Sequence, residues 1–368
     1  MSATGSGAVR IFWFAMPADC LHPELPVNSA AIKAEAFQLG FERCGIARAR
    51  KLADGENLRA FLGEGRQGTM EWLAADADRR ADVTVGFPWA KSVVVAALSH
   101  KPASEPARLP GTGLVARYAR GQDYHKVLKK KLRALADSLE AASPGARAVA
   151  VVDTSAIMEK PWAREAGVAW IGKHTNALDP AIGSYFALGV VLTSLDLAPD
   201  APAPDHCGSC TRCLEACPTQ ALTSPYRIDA TRCISYLTIE HAGPVDASLR
   251  KGMGDWIFGC DLCQEACPWN REAPPSREPA FAQRPSLAAP RLADWLRMTE
   301  AAWSTLTRGT ALRRSGRSML RRNAAIALGN SGDAGVVPML EEAASDPDLL
   351  VAAAAREAAE SLKAGARK

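Results

Sequence analysis

No apolar run in this 368-residue chain reaches the ~18 residues that a membrane helix needs. The opening "VRIFWFAM" is shorter still, runs into Pro17 and Asp19, and has no A-x-A-like cleavage site. Residues 1–28 therefore read as an N-terminal extension rather than a secretion signal. No P-loop, H-E-x-x-H or G-x-S-x-G occurs, which removes three common catalytic signatures. "GTGLVA" at 111–116 has the letters of G-x-G-x-x-A, but Pro110 precedes it and no strand feeds it. A dinucleotide fold needs strand, loop and helix there, so the segment reads as a loop. Excess charge is also scarce. Lys and Arg total 44 against 40 Asp and Glu, and a net +4 is too small to imply nucleic acid unless the charge is clustered.

What remains is ordinary globular material: 48% hydrophobic and 23% charged, with room for two or three domains. Residues 29–200 read as α/β. "SAAIKAEAFQLG" is an amphipathic helix with Ser29 as its cap and Gly40 as its stop. "SVVVAAL" (92–98) and "RAVAVVD" (147–153) are short buried-strand runs, and "GSYFALGVVLTSLDL" (183–197) holds a further strand. Between the first two, "DYHKVLKKKLRALADSLEAA" has helical period. "DYH" (123–125) also starts like D-x-H-x-x-G, whose histidine ligates the cobalt of cobalamin, but Leu128 stands at the glycine position. The Pro/Ala-rich "LAPDAPAPD" (197–205) reads as a linker, and "REAPPSREP" as a second boundary. Residues 201–272 form a cysteine-rich module. Residues 273–368 read as helices in an antiparallel stack resembling HEAT-type repeats, with "MLRRNAAIALGN", "VVPMLEEAAS" and "LLVAAAAREAAESL" as its members.

Eight of the ten cysteines fall between 207 and 267. That crowding in a long chain argues for reduced, metal-bound thiols in the cytoplasm rather than disulfides. "CGSCTRCLEACP" fits C-x2-C-x2-C-x3-C-P, in which three thiolates hold one [4Fe–4S] cube and the fourth reaches a second cluster. "CDLCQEACPW" supplies three more, and Cys233 lies alone between the runs. A crosswise assignment follows: Cys207, Cys210, Cys213 and Cys267 on one cluster, Cys217, Cys233, Cys260 and Cys263 on the other. Two four-cysteine zinc sites would use the same eight thiolates, but zinc ribbons favour separated C-x2-C pairs. Cys20 and Cys44 stay outside the scheme as ordinary thiols. Two cubes make a wire for single electrons, which something else in the chain must receive.

Asp153 ends a strand run just before Thr154 and Ser155. The carboxyl end of a strand is where α/β folds put ligand chemistry, although an Asp there also commonly caps the next helix. His174 in "WIGKHTN" has the look of a satisfied structural histidine. Residues 301–332 hold six arginines (308, 313, 314, 317, 321 and 322) and no acid. A solvated charged face is the ordinary reading of such a run, but the missing carboxylates favour phosphate contact.

Several segments together resemble the epoxyqueuosine reductases, cobalamin-dependent enzymes of queuosine synthesis in tRNA. The matching stretches include "ARYARGQDYHKVL", "VVDTS", "AGVAWIGKHTN", "GSYFALG", "CGSCTRCLEACPTQAL", "RCISYLTIEH", "GCDLCQEACPWN" and "RGTALRRSGRSMLRRNAAIALGN", in order within residues 30–330. The resemblance implies a cobalamin-binding α/β domain (29–200) related to reductive dehalogenases, a ferredoxin-like module with two [4Fe–4S] clusters, and C-terminal HEAT-like helices. It implies base-off cobalamin, epoxyqueuosine-bearing tRNA as substrate, an external donor such as a flavodoxin or ferredoxin, and a monomer. It makes Asp153 the proton donor and puts Arg80, Ala177, Leu188, Ser235 and Gln264 near the corrin. Arg313, Arg314, Arg317, Arg321 and Arg322 become the RNA contacts. Burial against the corrin is expected to raise the Asp153 pKa. Two positions depart from the family: Val190 where a glutamate is usual, and Lys160 where an arginine is often found. A small-molecule reductase of the dehalogenase type would not need the arginine-rich helices. A ferredoxin-type carrier would need neither the α/β domain nor Asp153.

Overall fold

The computed structural model describes residues 28–365, so the N-terminal extension, with Cys20, lies outside the described residues apart from Asn28. The first helix is Ser29–Gln38. Its cap is Asn28, whose side chain accepts from Ala31 N, whereas Ser29 Oγ donates to Ala198 O. The expected stop at Gly40 is present, with φ +90°. An asparagine fills the capping role one residue earlier than the sequence suggested.

The main sheet has four strands, in the order Arg43–Arg48, Ser92–Ser99, Phe186–Thr193 and Ala148–Val151. Every pairing in it is antiparallel. The helix Tyr124–Ala142 does link two strands that run the same way, Ser92–Ser99 and Ala148–Val151. The strand Phe186–Thr193 is inserted between them in the opposite sense, since Val94 faces Val191 and Ala150 also faces Val191. The linking helix buries Leu128, Leu132, Leu135 and Leu139. Each buried leucine contributes about 1.5–3 kcal/mol. Leu128, at the position where the cobalt motif wants glycine, is therefore a core residue. The other face of the sheet is covered by the helix Glu159–Glu165 through Trp162, which is fully buried beside Val93, Val95 and Val190.

The cysteine-rich segment and the C-terminal helices share one core with residues 115–119. Leu114–Val115 pairs in parallel with Trp256–Phe258, so the loop carrying "GTGLVA" ends as a strand against the cysteine module. Three C-terminal helices, Gly316–Asn330, Val337–Ala343 and Leu349–Gly365, close this core. No described helix is long and apolar enough to cross a membrane.

Candidate active site

The insertion of an opposed strand decides where the chemistry collects. The Ser92–Ser99 and Ala148–Val151 strands end, and the Phe186–Thr193 strand begins, at the same edge of the sheet. His100, Asp153 and Phe186–Leu188 consequently line one cleft of about 450 Å³. Its other wall comes from the cysteine module: Cys217, Cys233, Ser235, Cys260, Cys263 and Gln264. The turn at Gly183 locks these two walls together. Its φ is +70°, and a Cβ there would stand 2.3 Å from Asn270 Oδ1. That close approach lets Asn270 Oδ1 accept from Ser184 N at 2.7 Å, while Ser184 Oγ donates to Gln264 Oε1 at 2.8 Å.

Asp153 is not a helix cap, because the helix that follows begins at Glu159 after Met158 and takes no side-chain cap. Its carboxylate instead accepts a short hydrogen bond from Tyr124 Oη at one oxygen. The other oxygen lies 2.6 Å from His125 Nε2, off the hydrogen-bond line, while His125 Nδ1 lies 2.6 Å from Asp123 Oδ1. Burial pulls the imidazole pKa down, but the Asp123 bond and the nearby charges of Asp153 and Asp123 outweigh it and push it up to about 9. Burial also raises the Asp153 pKa, yet the close His125 charge and the Tyr124 hydroxyl hold it below its ordinary value. The rise expected for Asp153 depends on burial against a corrin, and the protein's own groups act in the opposite direction. At neutral pH the proton resides on His125, between two carboxylates. Glu159, on the same cleft, is pushed up to about 7 chiefly by burial and by Asp153, and its Oε1 is buried without a partner among the described residues.

The cysteines divide as the spacing suggested. Cys207, Cys210, Cys213 and Cys267 line a small second cavity, and Cys217, Cys233, Cys260 and Cys263 line the main cleft. Charge effects link Cys267 with Cys207 and Cys210, and Cys233 with Cys217 and Cys260, while Cys263 also feels Cys213 across the division. Burial raises the Cys260 and Cys263 thiols, so their thiolates need a strong positive partner. Among the described residues no group of three or more Cys, His, Asp or Glu closes to single-ion spacing. Four sulfurs around a cavity are the donor set of a cluster. Cys44 is a free, half-buried thiol.

Ala177, Leu188, Ser235 and Gln264 all line the cleft as expected. Arg80 does not. Its guanidinium lies 3.4 Å from Ile157 O and 5.0 Å from the Trp72 ring, behind the cleft wall, with Nε buried and unpartnered among the described residues. Val190 is fully buried in the sheet opposite Val95 and Val151, so it belongs to the core and not to the cleft. Lys160 faces the cleft and donates to Thr175 O at 2.9 Å. The arginine run needs a larger correction, because its missing acids arrive from elsewhere in the fold. Arg317 pairs with Glu300 at 3.0 Å, and Arg321 with Asp346 and Leu296 O. Arg322 is 0% exposed and donates to Leu237, His241 and Gly243 carbonyls. Arg321 and Arg322 are thereby buried and committed within the fold, whereas Arg317 is partly exposed in a surface pair with Glu300. Arg308, Arg313 and Arg314 stay exposed, with Arg314 near Glu240 at 2.9 Å and Arg313 over the Trp303 ring.

Asp123, Tyr124 and His125 are the functional group that sequence reasoning missed. The signal in "DYH" is an Asp two residues before a His at a helix start, where the Asp side chain can orient the imidazole.

An apolar floor of Ala177, Phe186, Ala187, Leu188 and Ile234 under a polar rim is the lining a large planar cofactor takes, and a buried unpartnered Glu159 oxygen fits an absent polar neighbour. Family models agree with both halves of the site. One described as a 4Fe-4S double cluster binding domain matches residues 206–270, and one described as epoxyqueuosine reductase QueG, DUF1730, matches residues 80–154. The epoxyqueuosine reductase of Xanthomonas campestris pv. campestris is 40% identical over 342 residues, 91% of this chain and 96% of that one. A crystal structure of epoxyqueuosine reductase with an epoxyqueuosine-modified tRNA-Tyr stem loop overlays at TM-score 0.85 with 30% identity. It covers 90% of this chain and 89% of that one. The Bacillus subtilis enzyme, solved with its aspartate-bearing catalytic loop swung out of the active site, overlays at TM-score 0.84 with 29% identity over 90% of both chains. Identity at this level across nearly the whole length places the chain in the epoxyqueuosine reductase family, an oxidoreductase family.

Proposed function

We propose that the chain reduces epoxyqueuosine to queuosine at the wobble position of tRNA anticodons, with cobalamin in the main cleft and electrons relayed through two [4Fe–4S] clusters. The observation that carries this reading is the cleft itself. Asp153 stands on one wall and four cysteine sulfurs on the other, and a protonated His125 backs Asp153 from the adjoining smaller cavity. The aspartate-bearing catalytic loop of the Bacillus subtilis relative and the tRNA stem loop bound to another support it.

Opening an epoxide to an alkene takes two electrons and two protons and releases water. Bound cobalamin supplies a strongly reducing cobalt centre, and the clusters supply electrons one at a time from an external donor of the flavodoxin or ferredoxin class. Ala177, Leu188, Ser235 and Gln264 would hold the corrin, and the two cysteine sets the clusters. The opened epoxide oxygen is a poor leaving group until it is protonated. At neutral pH that proton starts on His125, whose Nε2 lies 2.6 Å from Asp153 Oδ1, and Asp153 relays it to the opened oxygen. Asp123 fixes the imidazole orientation, and Tyr124 holds the Asp153 carboxylate in place.

A further cavity of about 270 Å³ shares Tyr118, Tyr124 and Asp153 with the cleft and carries Lys126, Arg313 and Arg314. This is where the RNA backbone would approach, phosphates on the cations and the modified base toward Asp153. Nucleoside analysis of epoxyqueuosine-bearing tRNA after incubation with reduced, cobalamin-loaded protein tests the whole reading. Queuosine is expected, and unchanged epoxyqueuosine under those conditions overturns it.

A further inference from the structure

The hairpin formed by Trp170–Ile171 and Ala177–Leu178 carries the segment 172–176 between the two cysteine sets. Lys173 Nζ donates to Gly208 O and Cys210 O, on the loop of the first set. Asn176 Nδ2 lies 4.0 Å from Cys263 Sγ, in the second. Between them His174 lines both cysteine-bearing cavities. Gly172 makes room for the ring, since a Cβ there would stand 3.1 Å from His174 Cε1 and 2.5 Å from Leu178 Cδ1.

His174 is 2% exposed. Its Nδ1 lies 3.1 Å from Asn176 N, and a backbone amide can only donate, so Nδ1 is the acceptor. The ring proton is thereby placed on Nε2. That nitrogen is buried and has no hydrogen-bond partner among the described residues. A buried N–H without an acceptor is rare enough in folded proteins to require explanation, and sulfur is the acceptor chemistry concentrated on both sides of this ring. The expectation of a satisfied structural histidine holds for one ring nitrogen only.

We infer that His174 donates its Nε2–H to the sulfur of a cluster held by these cysteines and sets that cluster's reduction potential. The inference rests on the assignment of the eight cysteines to two clusters. A hydrogen bond to cluster sulfur stabilises the more negative, reduced state and so raises the potential. His174 acts through the cluster and touches no substrate, so it is a positioning residue whose signature is a potential.

The test uses the full-length holoprotein purified anaerobically. His174→Leu keeps most of the bulk and removes the donor, and His174→Gln keeps an N–H. Iron, sulfide and EPR-monitored midpoint potentials are measured on both variants and on the parent. Expected is parent-level iron in both, with one midpoint shifted to lower potential in His174→Leu and closer to the parent value in His174→Gln. Loaded His174→Leu protein with both midpoints at the parent values overturns the inference. Should the leucine variant lose iron, parent protein labelled with 15N-histidine gives the answer by pulsed EPR. An exchangeable proton and a 15N coupling on one reduced cluster are expected, and their absence on both overturns it. A parent protein without about eight irons per chain would remove the cluster assignment itself, and this inference with it.

Discussion

Asp153 and His125 are a pair, and their separate substitution should show it. Asp153→Asn keeps the shape and the Tyr124 contact but cannot carry the proton. Turnover should fall ~10²–10⁴-fold with iron and cobalamin content retained, and near-parent single-turnover product would reduce Asp153 to a structural role. For His125 the sign follows from its pKa, pushed up to about 9 from an ordinary 6.5. The imidazolium and the stabilisation from its two carboxylates are fully present below about 6.5 and are lost as pH rises through 9. Turnover should decline across the same alkaline interval, and a pH–rate profile of His125→Gln should lack that limb while being slower throughout. An unchanged alkaline limb in the variant would assign it to another group. At this scale the sequence pointed to Asp153 through its place after a strand. It could not point to His125, because the 2.6 Å contact joins residues 28 positions apart.

Elements account for the arginines. A run of six without a neighbouring acid reads as a phosphate surface only while the chain is considered locally. The helix Gly316–Asn330 packs against the segment 237–258, and its Arg322 becomes an internal staple to three carbonyls, with burial pulling its pKa down to about 10. Arg322→Ala leaves those carbonyls buried and unpaired. It should lower stability by about 3 kcal/mol or more, read as a fall in the urea midpoint, because each unsatisfied buried group costs ~1–3 kcal/mol. A midpoint within a few tenths of a molar of the parent would contradict the staple. Cys233 lines the main cleft with Cys217, Cys260 and Cys263. Cys233→Ala should disrupt the cluster bordering the cleft and leave the other spectroscopically intact, as the division between two cavities requires. Loss of both clusters together would argue for a shared cage.

For the molecule as a whole, RNA affinity should depend on the exposed pair beside Asp153. Replacing Arg313 and Arg314 with alanine should weaken tRNA binding and flatten its salt dependence by about one unit of slope per lost contact. Arg317→Ala, whose parent side chain is paired to Glu300, should leave the slope unchanged. A slope unaffected by the double substitution would move the RNA to the lysine-bearing face of the Tyr124–Ala142 helix. The sequence by itself determined the cysteine spacing that the double-cluster family model matches, because thiolate spacing within two short loops is a local property that survives any packing around it. It determined the strands and the long helix for the same reason, since apolar period is written in consecutive residues. The tertiary structure alone decided that the sheet is antiparallel, that His125 charges beside Asp153, and that two arginines, Arg321 and Arg322, are spent inside. Pairing sense, electrostatic partners and burial are set by groups distant in the chain, and no window of neighbouring residues contains them.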